Sequence, residues 1–178
     1  SELVLADGPT SCLMLDKTVR LAEECLKLRN FNGAMAVSAA LQHTAVGRLA
    51  EAWARLPKRR LAAFKELEQI FNLSFRNYRP LIATSAPPAI PCLIVIQHDL
   101  LGLEENSETW ASKRTVNPLV NFEKMRKISE ALMIVKRYQL TGYDIVQDAP
   151  VQEALRNLRV LDEQQFYKRS KRAQTVSS

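Results

Sequence analysis

The sequence predicts an all-α protein in which residues 1–178 form a single irregular domain of about eight helices with a protruding helical hairpin. Three observations lead to this prediction. Apolar residues recur at helical spacing along most of the chain, prolines and glycines separate these segments, and no repeat period divides the sequence. A length of 178 residues, with 47% apolar and 25% charged residues, is ordinary for a globular domain with one hydrophobic core.

Four helices are predicted before residue 72. The second is the Ala- and Met-rich segment 34–41, whose small and flexible residues suit a buried helix. The apolar stripes of the other three are Leu15, Val19, Ala22 and Leu26; then Val46, Leu49, Trp53 and Leu56; then Leu61, Phe64, Leu67 and Phe71. Pro57 separates the last two helices because a proline interrupts the helical hydrogen bonds.

The most apolar segment, Ile90 to Glu105, follows a rigid break at Ser85 to Pro88. Its first half, Ile90 to Ile96, fits a buried strand as well as a buried helix. The helical character of the other elements, and Pro91, which suits a first helical turn, favour the helix. Helical spacing then separates two faces, one with Ile94, His98, Leu101 and Glu105, the other with Leu93, Ile96, Leu100 and Leu103.

A second arm is predicted to return after a polar tip, residues 106–117. Asn121 is the candidate N-cap of the return helix, which ends near Gly142. Its predicted apolar stripe is Phe122, Met125, Ile128, Leu132 and Val135. The two arms form a hairpin over about residues 90–138, and two shorter helices follow Asp148 and Asp162.

The composition argues against several classes of function. No apolar run reaches the roughly 18 residues of a transmembrane span. Cys12, Cys25 and Cys92 lack the spacing of a zinc site or a disulfide framework, so no bound metal is expected. The absence of a disulfide pattern favours a reducing, cytoplasmic location. Nucleotide-binding and hydrolase motifs are absent, so neither a cofactor nor the bond chemistry of an enzyme is expected.

The net charge of +6 is concentrated in the basic tail, where residues 168–172 contain four cations and no acid. A solvated helix end is the simplest interpretation, and peripheral contact with an acidic membrane is the alternative. A second basic cluster, Arg55 with residues 58–60, lies near aromatic residues that belong to apolar stripes. Nucleic-acid binding is therefore not expected.

Five short motifs occur in one order along the chain. They are Asn30-Phe31-Asn32-Gly33; Val46-x-Arg48-Leu49 with Trp53; Arg76-Asn77-Tyr78-Arg79; Pro88-x-Ile90-Pro91; and Leu119-Val120-Asn121-Phe122-Glu123-Lys124. In this order they resemble the catalytic domain of the Ras-family guanine-nucleotide exchange factors, over residues 13–172. The resemblance implies the C-terminal part of that domain without its first helices. Residues 119–128 and 155–164 are most similar to exchange factors for Rap.

The resemblance implies nucleotide exchange by displacement. Domains of this family grip switch II of a small GTPase and push the hairpin against switch I, which opens the nucleotide site. Leu101 matches the apolar residue that enters the magnesium position, and Glu105 matches the carboxylate that competes with the α-phosphate. A leucine cannot ligate Mg²⁺, and a fixed negative charge disfavours a nearby phosphate. By spacing alone, Leu101 also fits a core leucine and Glu105 a solvated helix end.

Further residues are implied to contact the GTPase, which is expected to be Rap or Ras. They are Gln42, Phe75, Ile94, His98 and Lys127, while Asn32 and Arg48 are implied to be structural. Three positions depart from the family pattern. Cys92 replaces a common aromatic residue, Ile94 replaces a frequent glycine, and Asn106-Ser107 replaces a frequent Gly-Asn. A non-catalytic helical binding module with the same fold is therefore the alternative function.

Overall fold

The computed structural model describes residues 2–6, 8–111 and 119–175, and it confirms the all-α prediction. Within these ranges there is no β-strand; extended pairing is limited to isolated bridges, Asn30 with Ile90 and Trp110 with Val120. The helices, in chain order, are α1 Glu2–Leu5, α2 Gly8–Lys27, α3 Phe31–Gln42, α4 Thr44–Gly47, α5 Ala50–Arg55, α6 Lys58–Ile70, α7 Tyr78–Thr84, α8 Leu93–Asn106, α9 Phe122–Gln139, α10 Ala149–Arg156 and α11 Glu163–Thr175.

The central helix of the domain is α2. Its predicted stripe is buried, since Leu15, Val19 and Ala22 have no exposed surface, and it packs against α3, α5 and α6. The core continues from α2 in two directions. One cluster joins α2, α3, α6 and α7 to the start of α8 and the end of α9. The other joins α1, α4, α5 and the first residues of α11 to α2, α3 and α6. The first cluster attaches the α8–α9 pair to the core of the domain.

The predicted third helix is divided into α4 and α5. His43 starts α4, because its Nδ1 accepts a hydrogen bond from a first-turn backbone N–H at 3.2 Å. At the division, the carbonyl of Val46 accepts a hydrogen bond from the indole N–H of Trp53 at 3.0 Å. The predicted stripe still faces the core after the division, since Val46, Leu49 and Leu56 are buried.

The entry into α8 is extended, not helical. The backbone N–H and C=O of Ile90 form hydrogen bonds of 2.9 Å on either side of Asn30. Pro91 therefore precedes the helix, and its predicted place in the first turn is wrong. The helix begins at Leu93, whose N–H donates to Asn32 Oδ1 at 3.2 Å. Through this contact Asn32 joins α3 to the start of α8, which is a structural role.

The pair α8 and α9 is antiparallel, because the start of α9 contacts the end of α8 and the end of α9 lies beside the start of α8. Asn121 caps α9 as predicted, its Oδ1 accepting from the backbone N–H three residues on at 3.2 Å. The predicted stripe of α9 is wrong at two positions, since Phe122 is 78% exposed and Leu132 is 51% exposed, while Met125, Ile128 and Val135 are partly buried. The fully buried residues are Lys124, Ala131 and Tyr138. Hydrogen-bond partners determine which face of α9 is buried, because Lys124 and Tyr138 both reach acceptors in the interior.

The C-terminal helices start at the predicted aspartates. Asp148 and Asp162 each accept a hydrogen bond from the backbone N–H three residues on, at 3.0 and 2.7 Å. Arg48 ties α11 to the domain by donating to Ser170 Oγ at 3.0 Å and lying over the ring of Tyr167. Among the described helices, none is both long enough and apolar enough to cross a bilayer.

Candidate functional site

The outward face of α8 forms the centre of the site. The residues predicted to share this face are all exposed, and they are Ile94, His98, Leu101 and Glu105. Leu101 is 61% exposed, which contradicts the core-leucine alternative. The buried side of α8 is carried by Val95 and Ile96, whereas Leu93, in the first turn, is 45% exposed. The helix therefore presents an apolar residue and a carboxylate one turn apart on a solvent-facing surface.

Phe75 lies beside this face. Its ring centroid is 6.4 Å from that of His98, in an edge-on arrangement, although Phe75 itself is 8% exposed. The backbone of Phe75 has a φ of 50°, a left-handed conformation that is uncommon for a bulky residue. A hydrogen bond from its N–H to the carbonyl of Asn72, at 2.9 Å, holds this turn. The strained turn brings an aromatic edge to the side of α8.

Lys127 lies across the α8–α9 seam from His98. Both line an open cavity of about 460 Å³ together with Asn106. The Lys127 side chain is 50% exposed, with its Nζ 3.6 Å from a carboxylate oxygen of Glu123. His98 thus lies between Phe75, at the side of α8, and Lys127, across the seam.

Gln42 lies in a different cavity. This cavity, of about 490 Å³, is lined by Gln42, Trp53, Phe64 and Glu68 from α3, α5 and α6. The side-chain amide of Gln42 donates to Ser38 Oγ at 3.2 Å, while the residue itself is exposed. Gln42 therefore belongs to a second surface, separate from the α8 face.

An ion pair fixes α8 on α7. The Arg79 guanidinium donates to both carboxylate oxygens of Asp99, at 2.8 and 2.6 Å. This guanidinium holds the pKa of the Asp99 carboxyl below its usual range. Just before α8, the Cys92 N–H donates to the hydroxyl oxygen of Tyr78 at 2.8 Å, and burial raises the pKa of Tyr78 to about 12. The tyrosine therefore stays protonated at physiological pH.

A second tyrosine anchors the end of α9. The buried Tyr138 hydroxyl lies 2.8 Å from the carbonyl oxygen of Ile82 and 2.9 Å from that of Ser85. These two carbonyls lie at the C-terminal end of α7, and the Tyr138 hydroxyl is the nearest donor to each: the Ile82 carbonyl also accepts from the Ser85 backbone N–H at 3.3 Å, and the Ser85 carbonyl also accepts from Arg137 at 3.4 Å. The first turn of α8 and the last turn of α9 are thus both attached to α7.

At the other end of the pair, Lys124 joins the start of α9 to the end of α8. Its side chain is 1% exposed, and its Nζ lies 2.7 Å from Glu104 Oε2. The apolar pattern of α9 gives no sign that Lys124 is buried, because this residue lies outside the predicted stripe and lysines are rarely buried. The signal that could have found it is the acidic pair Glu104 and Glu105 at the end of the opposite arm.

The departures from the family pattern fall at different depths. Cys92 has no exposed surface, and burial raises the pKa of its thiol, so it is a core residue. Ile94 is 49% exposed and adds bulk to the outward face of α8. Asn106 donates from its Nδ2 to the carbonyl of Gly102 at 2.8 Å, within the last turn of α8. Of these departures, Ile94 and Asn106 therefore lie near the candidate surface, and Cys92 does not.

Comparison with known proteins gives a consistent set of relatives. The family model described as the RasGEF domain matches residues 7–126. The chain is 33% identical over 168 residues to Ras-specific guanine nucleotide-releasing factor 2 of Mus musculus, covering 93% of this chain and 14% of that protein. It is 31% identical to Ras guanine nucleotide exchange factor Y of Dictyostelium discoideum, covering 89% of this chain and 10% of that protein. It is 30% identical to Ras-specific guanine nucleotide-releasing factor 1 of Homo sapiens, covering 89% of this chain and 12% of that protein. The chain thus spans 10–14% of the length of these relatives.

Proposed function

The chain belongs to the RasGEF domain family, and on this basis we propose that it promotes release of guanine nucleotide from a Ras-like small GTPase. The observation that carries the proposal is the outward face of α8. Leu101 and Glu105 are both exposed there, one helical turn apart, on a helix attached to the core at its base. Residues 1–178 are proposed to supply the exchange surface, with the α8–α9 pair as the helical hairpin.

In this proposal the chain displaces groups and forms no covalent bond. The α8–α9 pair inserts beside switch I of the GTPase. Leu101 occupies the region of the magnesium ion, to which it offers no oxygen ligand, and so weakens metal binding. Glu105 places a negative charge where the α-phosphate lies, and repulsion between these charges favours loss of the nucleotide. Both effects require the two side chains to face the same way, as they do on α8.

The remaining contacts are proposed to bind the GTPase rather than to displace its ligands. Ile94, His98 and Phe75 form an apolar and aromatic strip beside Leu101, and Lys127 adds a cation across the seam. Gln42 contributes a separate contact from the cavity between α3, α5 and α6. A GTPase bound to both surfaces would touch α3 and α8 at once.

The identity of the GTPase is a finer proposal. Residues 119–128 and 155–164 slightly favour Rap, whereas two of the relatives named above carry the words Ras-specific in their names. Both GTPases therefore belong in the same assay, with Ral as a third.

The test is release of a fluorescent guanine nucleotide from purified Ras, Rap and Ral, with and without this chain. We expect acceleration for at least one of them. Leu101→Ala and Glu105→Ala should each slow release while GTPase binding is retained. Leu132→Ala is the matched control, because Leu132 is 51% exposed on the other helix of the pair. Absence of acceleration for all three GTPases would refute the proposal.

A non-catalytic binding module is the second candidate, and the exposed Ile94 favours it. A β-branched side chain that is 49% exposed stiffens and widens the face where the family frequently has glycine. Binding of a GTPase without faster nucleotide release would support this candidate.

Cytoplasmic location with recruitment to acidic membranes is proposed from the basic tail. Lys168 and Arg169 are exposed on α11 and are available for such contact. Sedimentation with vesicles that contain or lack anionic lipid tests this, and equal binding to both vesicles would contradict it.

A further inference from the structure

Lys124 is the most deeply buried charged residue in the part of the chain that the structure describes. Its ammonium has three N–H donors, and three acceptors surround it. These are Glu104 Oε2 at 2.7 Å, the carbonyl oxygen of Ser107 at 2.9 Å and Thr109 Oγ1 at 3.0 Å. A buried ammonium whose donors are all used is a fixed structural element, because any movement would leave a charge without partners.

The three acceptors lie where α8 ends and the tip begins. Glu104 is in the last turn of α8, Ser107 follows its last residue, and Thr109 lies two residues further along the tip. A cation at a helix C-terminus also complements the partial negative charge of the last carbonyl groups. Lys124 thus closes the end of α8 from the side of α9.

The backbone at this junction is tied by further hydrogen bonds. The side-chain amide of Asn121 donates to the carbonyl of Glu108 at 2.9 Å, and the Asn121 N–H donates to the carbonyl of Thr109 at 2.9 Å. Lys124 and Glu104 add an ion pair to this network. The end of α8 therefore takes its position from the first turn of α9.

From these contacts we propose that Lys124 is a positioning residue for nucleotide exchange, which holds the last turn of α8 so that Glu105 keeps its outward orientation. The proposal rests on the exchange function argued above. Lys124 binds Glu104, and Glu105 is the next residue of the same helical turn. A rotation of this turn would therefore change the direction of both side chains. With 1% of its side chain exposed, Lys124 does not itself touch a partner.

The experiment compares Lys124→Met with wild type in nucleotide-release kinetics over a range of chain concentrations. Methionine keeps the length and volume of the side chain but removes the charge and all three donors. We expect the maximal release rate to fall between about tenfold and about a hundredfold, because small misplacements of reacting groups have effects of this size. The half-saturating concentration should change by less than about twofold, since the binding surface is retained.

Amide hydrogen exchange gives a readout that needs no GTPase. In Lys124→Met, residues 103–107 should exchange faster, while protection of residues 128–138 stays as in wild type. Lys136→Met is the matched control, an exposed lysine of the same helix, and it should change neither measurement. Glu104→Gln gives a smaller rate loss of the same kind and covers the case in which Lys124→Met does not fold, because Glu104 is 68% exposed.

The outcomes separate the two proposals. An active wild type with an unchanged Lys124→Met variant, or an unchanged Glu104→Gln variant where Lys124→Met is unfolded, would overturn the positioning role alone. Loss of rate together with a large rise in the half-saturating concentration and faster exchange throughout α9 would show a merely structural lysine. An inactive wild type would overturn the exchange function, and the positioning role with it.

Discussion

Arg79→Met and Asp99→Asn, made singly and together, form a double-mutant cycle on the ion pair between α7 and α8. Both hydrogen bonds of the pair are short, and their bidentate geometry favours a stronger interaction than a single contact. Solvent screens the pair, because the side chains of Arg79 and Asp99 are 49% and 29% exposed. The coupling energy at pH 7 is therefore expected to be about 1 kcal/mol, at the upper end of measured exposed pairs.

The pH dependence of this coupling has a definite sign. Arg79 lowers the pKa of Asp99 in the folded chain below its unfolded value of about 3.9. The ion pair thus contributes its full stability above about pH 4, and that contribution is lost as the pH falls through the lowered pKa. Urea unfolding of the four proteins between pH 7 and about pH 3 measures the coupling at each pH.

A matched control is the ion pair between Glu123 and Arg126, because both residues belong to α9 and the pair does not connect two helices. Its coupling should be smaller, because both side chains are exposed and only three residues apart. A coupling between Arg79 and Asp99 that is no larger than this control, or that persists undiminished at pH 3, would refute the reasoning.

Two further predictions concern the base of the α8–α9 pair. Tyr138→Phe should lower the free energy of unfolding by about 1 kcal/mol in urea, because the carbonyls of Ile82 and Ser85 each lose their shortest hydrogen bond; an unchanged midpoint would contradict the anchoring role. Cys92 should react with a thiol reagent at pH 8 only after unfolding, since it has no exposed surface and burial raises its pKa, whereas the partly exposed Cys12 should react in the folded chain. Equal rates of labelling for the two cysteines would show that the base of α8 opens readily.

Apolar periodicity predicted the elements that pack by shape alone. The α2 stripe is an example, because Leu15, Val19 and Ala22 need only a neighbouring apolar surface. The same reasoning separated the two sides of α8 and assigned Leu101 and Glu105 to one side. The caps at Asn121 and Asp148 were predictable as well, since they are local interactions between a side chain and a backbone N–H three residues on.

Long-range polar partners were not predictable in this way. The buried face of α9 depends on the acceptors that surround Lys124 and Tyr138, and these belong to other elements. The pairing of Arg79 with Asp99 joins residues 20 positions apart across an irregular segment. Pro91 was misplaced for the same reason, because the backbone groups of Arg29 and Phe31 form hydrogen bonds with Ile90 before the helix starts. Periodicity describes one segment at a time and carries no information about such contacts.

The α8–α9 pair is attached to α7 at its base, so a small rotation at the base produces a larger displacement at its far end. α8 contains 14 residues, which corresponds to a length of about 21 Å. A rotation of about 5° at the base, where Cys92 and Tyr138 are attached to α7, would displace the far end by about 2 Å. That distance is more than half the length of a hydrogen bond. Small changes of packing around α7 therefore produce larger displacements at Glu105. Substitutions far from this carboxylate can change its position.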